Sequence, residues 1–172
     1  MALKPTSDIF TISSQAVQTS VDGFVQTVLN IPLNILDQEV LAIYAVDFDL
    51  SQPDADVSQA SQNVTCSLTT TSQTAVQNIA NTSTIAAGAI DRKNDTGAAL
   101  LGTTVATFQN AQTPVASNIP YIYLLATDDM FLQLSSANAG TTKSCRVRIW
   151  AQRYKADAAQ YAALVQSELA GQ

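Results

Sequence analysis

Short runs of alternating apolar and polar residues recur along most of this chain and restrict it to a fold rich in β-strands. Val64, Cys66 and Leu68 alternate with polar residues, which predicts a half-buried strand. The run VLAIYAVDFDL, residues 40–50, has no clean alternation, so we expect a strand covered on both faces. In the late segment KSCRVRIWAQR, one face holds Cys145, Val147, Ile149 and Ala151, and the other holds Arg146, Arg148, Trp150 and Gln152.

The remaining pattern predicts further strands separated by polar turns. We expect two or three strands in residues 8–50, a loop over 51–62, weaker strands at 76–79 and 83–90, a turn at 91–97, a strand at 100–108 and a loop over 109–120. Residues 121–126 and 130–134 flank Thr127, Asp128 and Asp129, a pattern that predicts a hairpin with the aspartates in its turn. A second turn is expected at residues 135–142.

The last segment differs because alanine and leucine dominate it and it contains almost no β-branched residue. An amphipathic helix is predicted over residues 154–170. Its apolar face comprises Tyr154, Ala158, Tyr161, Val165 and Leu169.

Eight or nine strands in 172 residues predict one mostly-β domain, a single jelly-roll-like antiparallel sandwich with a short C-terminal helix. The domain spans residues 1–172, with 1–8 as an N-terminal arm and 154–170 as the helix.

Charge is scarce in this chain and its balance is acidic. Charged residues make up 13% of the sequence, apolar residues make up 47%, and the net charge is −6. Sparsely charged surfaces are expected where copies of a protein pack together, although a neutral monomeric domain is the alternative. An acidic chain without a basic arm predicts no strong direct binding to nucleic acid. We also expect no signal peptide, no membrane span and synthesis in the cytoplasm.

The sequence contains no histidine, which removes the commonest general base and the commonest metal ligand. We therefore predict no catalytic residues, no enzymatic activity and no cofactor. The alternative is a carboxylate-based glycosidase on a β-sandwich, which would need two facing carboxylates. Cys66 and Cys145 are expected to be buried free thiols in a reducing compartment, and a disulfide between neighbouring strands is the alternative.

Two charged groups invite a functional interpretation. The aspartates Asp47, Asp49, Asp54 and Asp56 are a weak calcium candidate. Against it, ordinary acidic residues keep a strand edge soluble. Arg146 and Arg148, with Trp150 nearby, could touch nucleic acid or an acidic neighbour. We favour pairing with aspartates of the same or an adjacent subunit.

The arrangement resembles the single jelly-roll coat proteins of icosahedral viruses, and the C-terminal segment from CRVRIWAQRYK onward resembles coat proteins of uncultivated marine viruses. The resemblance implies a major capsid subunit, made in the host cytoplasm, that assembles with copies of itself, and with other virion proteins, into an icosahedral shell. The implied subunit interface comprises Tyr154, Ala158, Tyr161, Val165, Arg146, Arg148 and Trp150, with the helix docked on its own domain or on a neighbour. A virion spike or fibre, or a carbohydrate-binding sandwich, is the alternative.

Overall fold

The computed structural model describes residues 3–54, 59–94, 104–110 and 120–170, which form two antiparallel sheets and one helix. In chain order the elements are β1 (Lys4–Pro5), β2 (Phe10–Val17), β3 (Val25–Asn30), a short 3-10 turn (Ile35–Asp37), β4 (Glu39–Leu50), β5 (Ser61–Thr69), β6 (Thr84–Asn94), β7 (Thr104–Asn110), β8 (Tyr123–Leu125), β9 (Asp129–Ala137), β10 (Ser144–Lys155) and α1 (Ala158–Ala170).

The strand order is that of a jelly roll. In the first sheet β10 pairs with β1 and β2 on one side and with β4 on the other, and β8 follows β4. The second sheet has the order β3, β9, β5, β6, β7. The pairs β2–β10, β3–β9, β4–β8 and β5–β6 thus nest inside one another and alternate between the sheets, so that two sheets enclose one core. The predicted mostly-β sandwich with a C-terminal helix is confirmed.

The core lies between the two sheets and consists mainly of large aliphatic side chains. The largest fully buried ones are Leu41, Ile43, Leu68, Leu125, Met130, Leu132, Leu134 and Ile149. Cys66 and Cys145 belong to the same core as free thiols, one from each sheet. Burial and a hydrogen-bonding contact with the Cys145 thiol raise the pKa of Cys66 far above its ordinary value.

The surroundings of β4 explain why apolar and polar residues do not alternate regularly along this strand. Leu41 and Ile43 point into the core between the sheets, whereas Val40 lies in a separate apolar cluster beneath α1. Both faces of the first half of the strand are therefore buried, as predicted, whereas the same prediction is wrong for the second half. From Val46 onward the strand alternates, because only one face remains covered.

Strand β10 also follows its sequence pattern. Its inward residues from Cys145 to Ala151 are buried, while Arg146 and Arg148 are exposed. The pairing register with β4 shifts between Trp150 and Ala151. The residue left over by this shift is Tyr44 of β4, and a bulge of this kind bends the bulged strand and increases the local twist.

The hairpin predicted around Thr127–Asp129 is wrong. Strand β8 pairs with β4 in the first sheet, whereas β9 pairs with β3 and β5 in the second. The connection between β8 and β9 therefore crosses from one sheet to the other. A turn between two apolar runs has the same local sequence signal in both cases, because the choice of pairing partner depends on distant strands.

Three boundaries differ from the predictions. Residues 91–94 continue β6 instead of turning, since β5 and β7 supply ladder partners on both sides. Residues 76–79 form no strand, and β9 extends to Ala137 into the predicted second turn. Predictions for residues 55–58, 95–103 and 111–119 lie outside the described part of the chain.

Helix α1 begins later than predicted. Tyr154 and Lys155 are the last residues of β10, where they pair with β1 and β4. The helix starts after Asp157, whose carboxylate accepts a hydrogen bond from the Gln160 N–H at 2.8 Å. This N-cap satisfies a donor that the first helical turn leaves unpaired.

Candidate subunit-contact surfaces

Helix α1 is attached to its own domain by a buried carboxylate. The Glu168 side chain accepts hydrogen bonds from the Ala126 N–H at 2.9 Å and the Thr127 N–H at 3.1 Å. Burial raises the pKa of Glu168, while these hydrogen bonds oppose the rise. The Tyr161 hydroxyl adds a hydrogen bond to the Ala126 carbonyl at 3.3 Å. Together these contacts fix the helix against the end of β8.

Sequence reasoning missed Glu168 because it lies near the end of the chain. A signal was present: Tyr161, Val165 and Glu168 follow one another at helical spacing on the apolar face. An acid on such a stripe indicates a buried carboxylate that needs specific donors.

The apolar face of α1 covers a second, smaller core. Val40, Ala126 and Ala156 form its buried centre, and the partly buried Tyr154, Tyr161, Leu164 and Val165 pack against it. The structure thus brings Tyr154, Tyr161 and Val165 together beneath the helix, while Ala158 is exposed. Beside them lies an open apolar groove of about 540 Å³, whose walls include Leu3, Tyr121, Leu124 and Leu164.

The outer face of the first sheet carries a ladder of opposite charges. Arg146 lies opposite Asp49, and Arg148 lies opposite Asp47, on the adjacent strands β10 and β4. Arg146 Nη1 and Asp49 Oδ2 are 3.1 Å apart, and both side chains are exposed. Exposed pairs of this kind stabilise by about 0–1 kcal/mol. Their main effect is to neutralise the arginine-bearing face, next to which Trp150 is half-buried.

The aspartates of the calcium candidate are separated in the structure. Asp47 and Asp49 belong to the charge ladder, whereas Asp54 accepts a hydrogen bond at 2.8 Å from the buried Lys143 ammonium. This hydrogen bond lowers the pKa of Asp54. Asp56 lies outside the described residues, among which no three cysteine or acidic side chains converge as metal ligands would.

The outer face of the second sheet is nearly free of charge. Its strands carry charged residues only at Asp91, Arg92, Lys93 and Asp129. The segment between β5 and β6, residues 70–83, contains no charged residue and hydrogen-bonds to this face through uncharged side chains. The eight charged residues on the strands of the first sheet make the two faces electrostatically different.

A buried amide network attaches that segment to the sheet. Gln133 is fully buried, accepts from the Ser67 hydroxyl at 2.6 Å and donates to the Thr69 hydroxyl at 2.7 Å. The Gln77 backbone N–H donates to the Ser67 hydroxyl at 3.0 Å, and the Gln73 backbone N–H donates to the side-chain Oε1 of Gln26 at 2.8 Å. The alternation pattern placed Ser67 and Thr69 on the polar face of a half-buried strand and did not reveal that residues 70–83 cover this face.

Nested strand pairs that alternate between two sheets, with the main core between the sheets, define this protein as a jelly-roll β-sandwich. No known protein family and no curated protein matches the sequence significantly. Among solved structures, it is similar to an unassembled pentamer of Merkel cell polyomavirus VP1, with 6% sequence identity, a TM-score of 0.41 and coverage of 91% of this chain and 100% of that chain. It is similar to VP1 of trichodysplasia spinulosa-associated polyomavirus at 6% identity, a TM-score of 0.39 and the same coverage. With identities and TM-scores this low, no function follows from either likeness.

None of the helices in the described residues is long and apolar enough to cross a membrane.

Proposed function

We propose that this protein is a structural virion protein, a capsid subunit whose jelly-roll domains pack with copies of themselves into a closed shell. It is made in the host cytoplasm, acts in the virion and has no catalytic role. Other virion proteins are further partners.

The observation that carries the proposal is the unequal distribution of charge between the two sheets. Charged residues are depleted from the centres of protein interfaces, because removing a charge from water is costly. The second sheet, with its uncharged cover of residues 70–83, therefore provides a large surface suited to subunit packing. A jelly roll supports this role, because its strands form a rigid body with its loops at the ends.

The charge ladder supports an assembly that does not depend on direct genome contacts. Arg146 is paired with Asp49, and Arg148 lies opposite Asp47, within one subunit. The basic residues along the exposed face of β10 therefore form no row that lacks neighbouring acidic residues. The net charge of −6 also opposes strong binding to phosphate backbones. The helix α1 acts here as part of the subunit, since Glu168 and Tyr161 attach it to its own domain.

Expression of the chain alone, followed by light-scattering chromatography and negative-stain electron microscopy, tests the proposal. We expect regular capsomers or closed particles over a range of salt and protein concentrations. A core variant, Leu132→Asp, is the control for non-specific aggregation, because a charge at this fully buried position disrupts the fold and should abolish regular particles. A protein that stays monomeric under all conditions contradicts the proposal.

A further inference from the structure

Two unpaired strand edges lie on one side of the sandwich. Among the described strands, β2 pairs only with β10 and β3 pairs only with β9, so each has one free edge. Both ladders keep an unbroken register along the strand, without a bulge. A regular free edge presents a row of N–H and C=O groups to which another strand can add.

These edges lack the residues that usually block strand addition. Neither lysine nor proline occurs from Ile9 to Asn30, and Asp22 is the sole charged residue there. One carboxylate oxygen of Asp22 accepts hydrogen bonds from the Ala139 N–H at 2.9 Å and the Ser136 hydroxyl at 3.2 Å. The Asp22 carboxylate therefore has partners within its own domain.

Exposed apolar side chains concentrate on the same segment. Of the seven large apolar side chains that the structure describes as exposed, five are Ile9, Val17, Val21, Phe24 and Val28. Val28 is 48% exposed and lies opposite Phe131 on the outer face of the second sheet. Phe24, immediately before β3, is 39% exposed.

The charge distribution of this chain favours a second copy of the same chain as the partner that pairs with the free edge. Two molecules with a net charge of −6 repel each other, and this repulsion is weakest where neither carries outward charge. Two β3 edges that face each other meet this condition, because Val25–Asn30 contains no charged residue. A symmetric contact also needs a surface that is complementary to itself, which an antiparallel strand edge is.

We propose that β3 pairs antiparallel with β3 of a second copy across a two-fold axis, with Val28 facing the partner's Val28. Directly opposite residues of paired strands lie on the same face of the sheet, whereas neighbours along one strand lie on opposite faces. The two-fold axis must therefore pass midway between the two copies of one residue. Centring on Val28 pairs two exposed apolar side chains. Centring on Thr27 would place Val28 against the partner's Gln26, although Gln26 is engaged with Ser72 and Gln73.

The inference rests on the proposed function and names one of its subunit contacts. A single strand pair flanked by Val21 and Phe24 is a small interface. Small interfaces are weak in isolation. Many such contacts reinforce one another when copies assemble. The contact is therefore concentration-dependent in dilute solution and stable in a shell.

Cysteine cross-linking tests the register. Val28→Cys should form a disulfide-linked dimer on mild oxidation, because opposite Cβ atoms in an antiparallel pair lie about 5 Å apart. Asn30→Cys is the matched control, since it is exposed on the same strand and face but lies opposite the partner's Gln26. Cys66 and Cys145 are fully buried and do not compete. Equal cross-linking of the two variants, or none in Val28→Cys, overturns the register.

A charge at the edge tests the contact itself. Val28→Lys should weaken self-association at least tenfold in sedimentation analysis, whereas Gln166→Lys adds the same charge at an exposed position of α1 and should leave it unchanged. Circular dichroism checks that both variants fold. If Val28→Lys assembles as well as the unmodified protein, the β3 contact is wrong and the proposed function stands. If the unmodified protein forms neither dimers nor particles, both fail.

Discussion

Two charged side chains, Lys143 and Glu168, are almost fully buried, and each has contacts that compensate for its loss of water. The Lys143 ammonium donates to Asp54 at 2.8 Å and to the Thr141 hydroxyl at 3.0 Å. Gly140 makes room for this pair: its φ is +84°, and a Cβ there would lie 2.7 Å from Asp54 Oδ2. Both charged residues connect a loop or helix to the sandwich, so their contacts position elements outside the main core.

Glu168→Ala should loosen α1 and lower the free energy of unfolding. The substitution removes the acceptor of two N–H groups, of Ala126 and Thr127. We expect a loss of about 1–3 kcal/mol for each buried N–H group left without a partner. Urea unfolding measures the change, and Ser167→Ala, at the adjacent exposed position, is the control. Equal stability of the two variants would contradict the role given to Glu168.

The same carboxyl group should make the stability of the helix depend on pH. Because burial raises the pKa of Glu168, the native protein holds this proton more tightly than the unfolded chain does. The resulting stabilisation is complete below the ordinary pKa of a glutamate in the unfolded chain and is lost as the pH rises through the raised pKa of the folded state. Glu168→Gln does not titrate, so its stability relative to the unmodified protein should increase with pH across this window. Thermal unfolding of both proteins over the same pH series measures the difference, and a constant difference would exclude the linkage.

Among the elements, the segment of residues 70–83 relies on polar contacts. It is attached to the second sheet largely through the network around Gln133, Ser67 and Gln26. Ile79, near its middle, is 79% exposed, so the segment gains little from apolar burial at this point. Its order therefore rests on hydrogen bonds whose geometry the sheet determines.

Gln133→Ala should release this segment while the sandwich stays folded. The substitution removes the acceptor of the Ser67 hydroxyl, at a cost of about 1–3 kcal/mol for a buried donor left unsatisfied, whereas the Thr69 hydroxyl still donates to the Thr71 carbonyl at 2.7 Å. Limited proteolysis should then cut within residues 70–83 faster than it does in the unmodified protein. Gln166→Ala on the exposed face of α1 is the control. Unchanged resistance would indicate that other contacts hold the segment.

For the whole molecule, the proposed assembly depends on the separation of charged and uncharged faces. The first sheet pairs Arg146 with Asp49 and places Arg148 opposite Asp47, and the second sheet has little charge to neutralise. The remaining electrostatic effect between copies is the repulsion of two chains with a net charge of −6.

Self-association should therefore strengthen as ionic strength rises. Salt screens the repulsion between exposed charges, with a Debye length of about 10 Å at 0.1 M, and leaves apolar and strand contacts intact. Sedimentation at low and moderate salt measures the effect, and a neutral osmolyte at equal osmolality is the control. Association that weakens with salt would instead indicate that Arg146 or Arg148 pairs with aspartates of a neighbouring subunit.

Local patterns in the sequence predicted most of the strands and the nature of the fold. The period of two in β5 and β10 follows from one buried face, and the continuous apolar run of β4 follows from two. The terminal helix could be predicted because helix propensity is a local property of the last segment. The scarcity of charge follows directly from the composition. The lack of histidine likewise restricts the available chemistry whichever way the strands pair, because it too is a property of composition.

The tertiary structure decided which strands pair and what covers them. The run from Tyr121 to Leu134 has the same turn signal whether it forms a hairpin or crosses between sheets, and β4, β3 and β5 supply the partners that settle the choice. Burial of Glu168 and Gln133 likewise requires donors and acceptors brought from distant parts of the chain. Local sequence encodes the period with which side chains face a covered surface, whereas the identity of that surface arises only when remote segments pack together.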